Sequence, residues 1–293
     1  MPTLADYRFI DDGAWRLIVL SEAWTSELQN KVMTLVQKQT LSKHPQTVAV
    51  DWGAPGVEKK YYLKVFHKSG SGGVLKDFAR ASKAFRFWRQ GLALSAAGFN
   101  VPLTIAAGEL RCWRCFKRAF VLTAQVDGQP LPMFLADLAA FHDRRKALKL
   151  KRSGVARLAD LIRQFHGEGF VHGDMVASNL LVSETGGDEP KVYFMDNDRT
   201  RRYSLWFPQS LWKRNLIQLN RMPLPGITLQ DRMRFYRTYF RDRPAMRKEL
   251  SLLRWFEKKT RKRRKECDAV DASGNYRKLM AWRKNLTVAH NAE

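Results

Sequence analysis

Cysteine is scarce in this chain, with three (Cys112, Cys115, Cys267) in 293 residues. A low, odd count builds no disulfide framework and suits a reducing compartment. Long apolar runs are missing as well, none approaching the roughly 18 residues that a membrane-spanning helix needs. The opening MPTLADYRFIDDGAW has no cationic segment followed by an apolar one, so no signal peptide is expected. Internal repeats are absent. Acid is in short supply: 28 Asp and Glu stand against 52 Lys and Arg, a net charge of +24. Such an imbalance implies an anionic partner, whether nucleic acid, an anionic membrane surface or a phosphorylated substrate. Core-forming residues are present in ordinary proportion, 45% of the chain, which excludes wholesale disorder. The length exceeds what one hydrophobic core usually organises, so two lobes are expected.

The first part of the chain reads as sheet. Trp15–Leu20 (WRLIVL) is a short strand, and residues 24–39 have mixed spacing that leaves helix and strand both open. Residues 47–52 (TVAVDW) and 61–66 (YYLKVF) flank the turn GAPG and form a hairpin. After the glycine-rich link HKSGSGG, apolar residues at Leu75, Phe78, Phe85, Trp88 and Leu92 mark an amphipathic helix over 74–97, ended by Gly98. Residues 103–123 read as two more strands. The total is about five strands with one helix on them. The segment VDGQP at 126–130 breaks the pattern and is the expected boundary. Beyond it the chain is mainly helical: 132–148, then 155–166 with Ser153 as N-cap, and further helices from about 211 to 265. Residues 180–183 and 192–195 pair around SETGGDEP as a hairpin.

The most informative stretch is 170–182, FVHGDMVASNLLV. His172-Gly173-Asp174 stands in a loop, Asn179 follows five residues later, and a strand begins at Leu180. The next strand ends in Phe194-Met195-Asp196-Asn197-Asp198-Arg199. A carboxylate, an amide five residues on, and a carboxylate at a strand end form the layout that phosphoryl transfer uses. One Asp accepts the acceptor hydroxyl's proton, while the Asn and the second Asp offer hard oxygen ligands to Mg²⁺. Upstream, Lys64 interrupts an apolar strand, where an ammonium must reach solvent or an anion such as the phosphates of ATP.

Together HGDxxxxN, the D-x-D-R strand end and YYLK look like a protein-kinase-like phosphotransferase. With the flanking SKAFRFWRQGLALSAAGFNVPLTIAAGE and VYFMDNDRTRR, the chain resembles the Kdo/WaaP family of lipopolysaccharide core kinases over roughly residues 17–240. The resemblance implies an α+β, protein-kinase-like bilobal fold, with a small antiparallel-sheet lobe (1–125, nucleotide-binding), a larger helical lobe (126–265, catalytic) and a basic tail (266–293). It implies Asp174 as catalytic base, Lys64 at the ATP phosphates, and Asn179 and Asp196 on Mg²⁺. It also implies phosphorylation of an inner-core sugar, Kdo or heptose, at the cytoplasmic face of the inner membrane. There the polyanionic core lipid and the anionic membrane surface are the expected partners, and nucleic acid is not.

Two departures from the family pattern stand out. Such kinases pair the strand Lys with a helix Glu, and that position here is Phe87; Asp77 is the only carboxylate between Glu58 and Glu109. A glycine-rich loop is also missing, because 38–46 (KQTLSKHPQ) contains no Gly, leaving Lys38, Ser42 and Lys43 to cover phosphate. The segment GSGGVLKD does not have P-loop spacing. Two other readings follow from the same residues. HGDMVASN also resembles the small basic kinase of the tRNA-modification complex, and Phe87 suits a non-catalytic binding protein. The lone Cys112/Cys115 pair lacks partners for zinc and reads as structural, as do His44, His67, His142 and His166. Basic clusters occur at 144–152, 199–202 and 258–265. The last (KKTRKRRK) reads either as a solvated helix face or, with Trp206, Phe207, Trp212 and Trp255 nearby, as a membrane-surface contact.

Overall fold

A computed structural model describes residues 2–39, 46–53, 59–67, 81–112, 115–184, 190–204, 210–221, 224–241 and 246–270. The chain divides into two compact units, one comprising 1–127 with 193–200 and the other 128–192 with 201–293.

The first unit is built on six antiparallel strands: β1 (Tyr7–Asp12), β2 (Trp15–Leu20), β3 (Gln46–Trp52), β4 (Lys59–His67), β5 (Thr104–Cys112) and β6 (Cys115–Ala124), in the order β1-β2-β5-β6-β4-β3. The expected hairpin is β3–β4, in register Val48↔Leu63 and Val50↔Tyr61. One strand goes beyond the sequence reading. In β1 only Tyr7 is buried, so no apolar alternation marks it; its hydroxyl donates to the Thr104 carbonyl at 2.7 Å. The segment left open between helix and strand is α1 (Ser26–Lys38), capped by the Thr25 hydroxyl. Leu28, Val32 and Val36 form its fully buried stripe, so the unit carries a helix more than the single one expected.

The described part of the expected 74–97 helix is α2 (Lys83–Ala96). Its Ser82 cap accepts from the Phe85 N–H, while the Ser82 N–H donates to buried Glu109 at 3.3 Å. Phe87 and Trp88 turn into the common core with Phe66, Phe120 and Leu122. The strand β10 (Lys191–Phe194) brings the chain back to this unit, where the Phe194 N–H bonds the Asn100 carbonyl and α2 packs on a 3-10 turn, Asn197–Arg199.

The second unit contains the short strands β7 (Gln129–Pro130), β8 (Phe170–Val171), β9 (Leu180–Ser183) and β11 (Arg201–Arg202). Its helices are α3 (Leu131–Ala139), α4 (Arg144–Gly167), α5 (Ser210–Leu219), α6 (Leu229–Tyr239) and α7 (Met246–Val270). β10, β9 and β7 are neighbours in a small sheet, and β11 pairs with β8. The helix break expected near Ser153 lies ten residues earlier. Asp143 caps α4 by accepting from the N–H groups of Arg145 and Lys146, both at 3.0 Å. Ser153 and Gly154 are exposed within one 24-residue helix, where glycine costs about 1 kcal/mol and is tolerated. No acid stands in the first turn of α4, which opens Arg144-Arg145-Lys146.

Further along α4, Lys151 pairs with buried Asp231 at 2.9 Å. Asp231 also closes a capping box with Thr228 at the start of α6. Burial alone would raise the Asp231 pKa, but the Thr228 N–H, Lys151 and the Thr228 hydroxyl together hold it below the usual carboxylate value. In α7, Phe256 and Thr260 are buried, whereas Lys258, Lys259, Arg261, Lys262 and Arg263 are exposed. Among the described residues no helix is long and apolar enough to cross a membrane.

Candidate active site

In the first unit, Lys64 lies mid-strand in β4, opposite Thr47 of β3 and Val121 of β6. Leu63 and Val65 are fully buried on one face, and strand alternation turns Lys64 to the other. There its ammonium forms an ion pair with the Asp196 carboxylate and stands 5.7 Å from the centre of the Phe66 ring. Both partners keep solvent access, with side-chain exposures of 23% and 43%, so a ligand can reach them.

Asp196 follows the end of β10 with φ 54° and ψ 49°. Among the described residues it is the only non-glycine in the left-handed region, a conformation that Asp tolerates and that gathers at functional sites. Asn197 is fully buried and donates to the Phe194 carbonyl at 2.9 Å, with its Oδ1 unpartnered among the described residues. Asp198 is half-buried. Burial, then Asp196, pushes its carboxyl up, while Lys64, Lys83 and Arg199 pull it back. Arg86 donates to the Asp198 carbonyl at 3.2 Å, and Lys83 lies 5.9 Å from the same Phe66 ring as Lys64. Two carboxylates two residues apart supply hard oxygens, a donor set that fits Mg²⁺, which takes one or two carboxylates and completes its shell with phosphate and water. No cluster of three or more His, Cys, Asp or Glu that could hold a metal ion occurs among the described residues, so protein carboxylates alone do not enclose a site here.

In the second unit, Gly169 turns the chain after α4, and its carbonyl accepts the Tyr203 N–H at 2.8 Å. β8 then delivers His172-Gly173-Asp174. Gly173 has φ +76°, a conformation open to glycine at little cost and strained for a side chain. The Asp174 carbonyl accepts from the Val176 N–H and from Asn179 Nδ2, both at 2.9 Å. With its nitrogen engaged, Asn179 presents Oδ1, the end that a cation can use. His172 is fully buried, and its N–H donates to Asn215 Oδ1 at 3.0 Å. The sequence-predicted residues thus fall into two pairs, Lys64 with Asp196 and Asp174 with Asn179.

The profile of the lipopolysaccharide kinase (Kdo/WaaP) family matches residues 36–239. The chain belongs to that family. A curated relative, the lipopolysaccharide core heptose(I) kinase WaaP of Pseudomonas aeruginosa, is 26% identical over 213 residues, 69% of this chain and 78% of the relative. A solved structure of WaaP in complex with acyl carrier protein superimposes with a TM-score of 0.60 at 21% identity, covering 87% of this chain and 99% of that one. The fold is accordingly α+β and protein-kinase-like, and membership of the Kdo/WaaP family makes the chain a kinase, a phosphotransferase that uses ATP.

Against that family pattern, Phe87 sits in the apolar core at 5% exposure, and Lys64 takes Asp196 as its carboxylate. Glu109, buried on β5, is committed to Arg111 at 2.9 Å and to the Ser82 N–H. Asp77, Ser42 and Lys43 lie outside the described residues, as do His44, Trp206 and Phe207. Cys112 and Cys115 are Cα partners at the ends of β5 and β6.

Sequence reasoning missed Arg86 and Lys83, which surround Asp198, and the polar pair Asn215 and Gln218 beneath the Asp174 loop. A signal for Asn215 was available. Asn215 interrupts the apolar stripe Trp212, Leu216, Leu219 of α5, and all four are buried; a polar residue in such a stripe has a buried partner.

Proposed function

We propose that the chain transfers the γ-phosphoryl group of ATP to a hydroxyl of an inner-core heptose of lipopolysaccharide. The curated WaaP relative supports heptose over Kdo, and the Lys64–Asp196 pair carries the chemistry. In this reading residues 1–125 bind the nucleotide, and Lys64 exchanges Asp196 for the ATP phosphates. Asp196 and Asn179 would hold Mg²⁺, with Asp198 as a further oxygen ligand, and the ion would supply neutralisation of phosphate charge. Asp174, in the catalytic part 126–265, orients the sugar hydroxyl. As the sugar oxygen bonds to the γ-phosphorus and the bond to the β–γ bridging oxygen breaks, the hydroxyl proton passes to the Asp174 carboxylate and ADP departs. Positioning and charge neutralisation supply most of the acceleration.

The reading includes peripheral attachment to the anionic cytoplasmic face of the inner membrane. The +24 charge and the exposed basic face of α7, with Trp255 38% exposed beside Lys259, support it. Labelled ATP incubated with core lipids truncated at successive sugars tests the whole. Label should enter lipid that carries heptose and not lipid ending in Kdo. Label in the Kdo-terminated lipid would reassign the acceptor, and absence of Mg²⁺-dependent turnover with every lipid would overturn the kinase mechanism.

A further inference from the structure

We propose that Gln218 of α5 is the positioning residue of Asp174. The inference rests on the role given to Asp174 above. The peptide groups on both sides of Asp174 end on this one side chain: Gln218 Nε2 donates to the Gly173 carbonyl at 3.1 Å, and Gln218 Oε1 accepts the Met175 N–H at 3.2 Å. Asn215 Nδ2 donates to the same Oε1 at 3.1 Å. Fixed backbone groups dictate every orientation in this set. The His172 N–H can only donate, so it faces Asn215 Oδ1 and turns Nδ2 toward Gln218. The Met175 N–H can only donate and the Gly173 carbonyl can only accept, which turns the Gln218 amide the same way.

The set continues beneath the loop. His166 Nε2 lies 3.2 Å from Asn215 Oδ1, and its Nδ1 lies 2.7 Å from the Tyr239 hydroxyl. An oxygen acceptor opposite Nε2 places a proton there, and Nδ1 is within hydrogen-bond reach of the Tyr239 hydroxyl. Gln218 is therefore the last member of a hydrogen-bonded chain of Tyr239, His166, Asn215 and Gln218, whose far end grips the backbone on either side of the base.

The grip calls for a side chain with one donor and one acceptor at this length. Gly173, held at positive φ, gives the loop freedom that the amide removes. Glutamate keeps the acceptor and loses the donor, setting a carboxylate against the Gly173 carbonyl; methionine keeps the volume and loses both bonds. A base displaced by as little as 1 Å loses about 10²-fold in rate.

The test is the steady-state kinetics of Gln218→Met and Gln218→Glu with labelled ATP and heptose-bearing core lipid, at a temperature where circular dichroism shows each folded. Both should lose about 10²-fold in kcat, with KM for ATP within about twofold of wild type. In the Asp174→Asn background the same substitutions should cost nothing further, since the base they aim is gone. Asn215→Asp, which keeps the acceptor for the His172 N–H and removes the donor to Gln218, should show a smaller loss of the same kind. A folded Gln218→Met enzyme with wild-type kcat overturns the proposal. So does a loss that appears equally in KM for ATP, or failure of both Gln218 variants to fold, which would make the residue scaffold. Full activity in Asp174→Asn would instead overturn the functional reading itself, whatever the Gln218 variants do.

Discussion

The Lys64–Asp196 corner and the Asp174 loop are held in place by opposite means. At the first, charges do the holding: an ammonium against a carboxylate, a second carboxylate nearby, and Lys83 and Arg199 around it. At the second, neutral amides hold a backbone: Gln218, Asn215 and Asn179 bond to carbonyls and N–H groups. An ion pair open to solvent exchanges partners at small cost, because water and incoming phosphate replace what is lost. Neutral bonds to a backbone do not respond to the arrival of charge. In the proposed function, the corner would rearrange around a nucleotide while the loop keeps its geometry.

The largest expected effect lies on the neutral side. Asp174→Asn should lower phosphotransfer by about 10²–10⁴-fold, the usual contribution of a general base, with thermal midpoint and KM for ATP unchanged. Unfolding in place of lost turnover would make Asp174 a structural residue and erase the contrast. On the charged side, damage should appear as lost affinity. Lys64→Met should weaken ATP binding by about 10–100-fold, the worth of a charged hydrogen bond of about 1.5–3 kcal/mol, and Asp196→Ala should abolish its Mg²⁺ dependence; calorimetric titration reads both. Asn197→Ala should lower stability, by about 1 kcal/mol, and affect binding less, because its amide braces the Phe194 carbonyl. Equal losses of binding in the Asp196 and Asn197 variants would move the ligand to the wrong side of the turn.

Smaller effects sharpen the comparison away from both sites. Neutralising Lys258, Lys259, Lys262 and Arg263 should weaken binding to anionic vesicles by a few kcal/mol at most, at about 1 kcal/mol per residue. The loss should shrink as salt rises, and turnover on a soluble sugar fragment should not change. Co-sedimentation with vesicles decides it, and unchanged binding would assign the run to a solvated face. Smallest is a pH effect at Asp231. Its folded pKa is depressed, so its stabilisation is present above its ordinary value and lost as pH falls through the folded one. Denaturant titrations should show wild type losing more stability than Asp231→Asn as pH drops below about 4.

Much of this was legible in the sequence. Strand alternation marked β3, β4 and the lysine within β4, and spacing alone singled out Asp174, Asn179 and Asp196. The edge strand β1 was not legible, because a strand with one buried side chain carries no period. The start of α4 was misread because Ser153-Gly154 looks like a boundary, whereas Asp143, a better cap, follows an exposed Phe141 that masks the break. Asn197 is buried where Asp196 and Asp198 are not, a difference set by a left-handed Asp196 and a 3-10 turn rather than by a continuing strand. Gln218 was invisible for a different reason: its partners are backbone groups, and backbone leaves no trace in residue identity.

The opening of α4 also sets a cost in stability. A helix begins with a positive pole, and acids there stabilise it by about 0.3–1 kcal/mol each. This helix places Arg144, Arg145 and Lys146 at that pole, all exposed, with Asp143 alone to offset them. The three cations therefore stand against the preference of the helix that carries them and cost it stability, and Arg145→Glu is expected to raise the melting temperature.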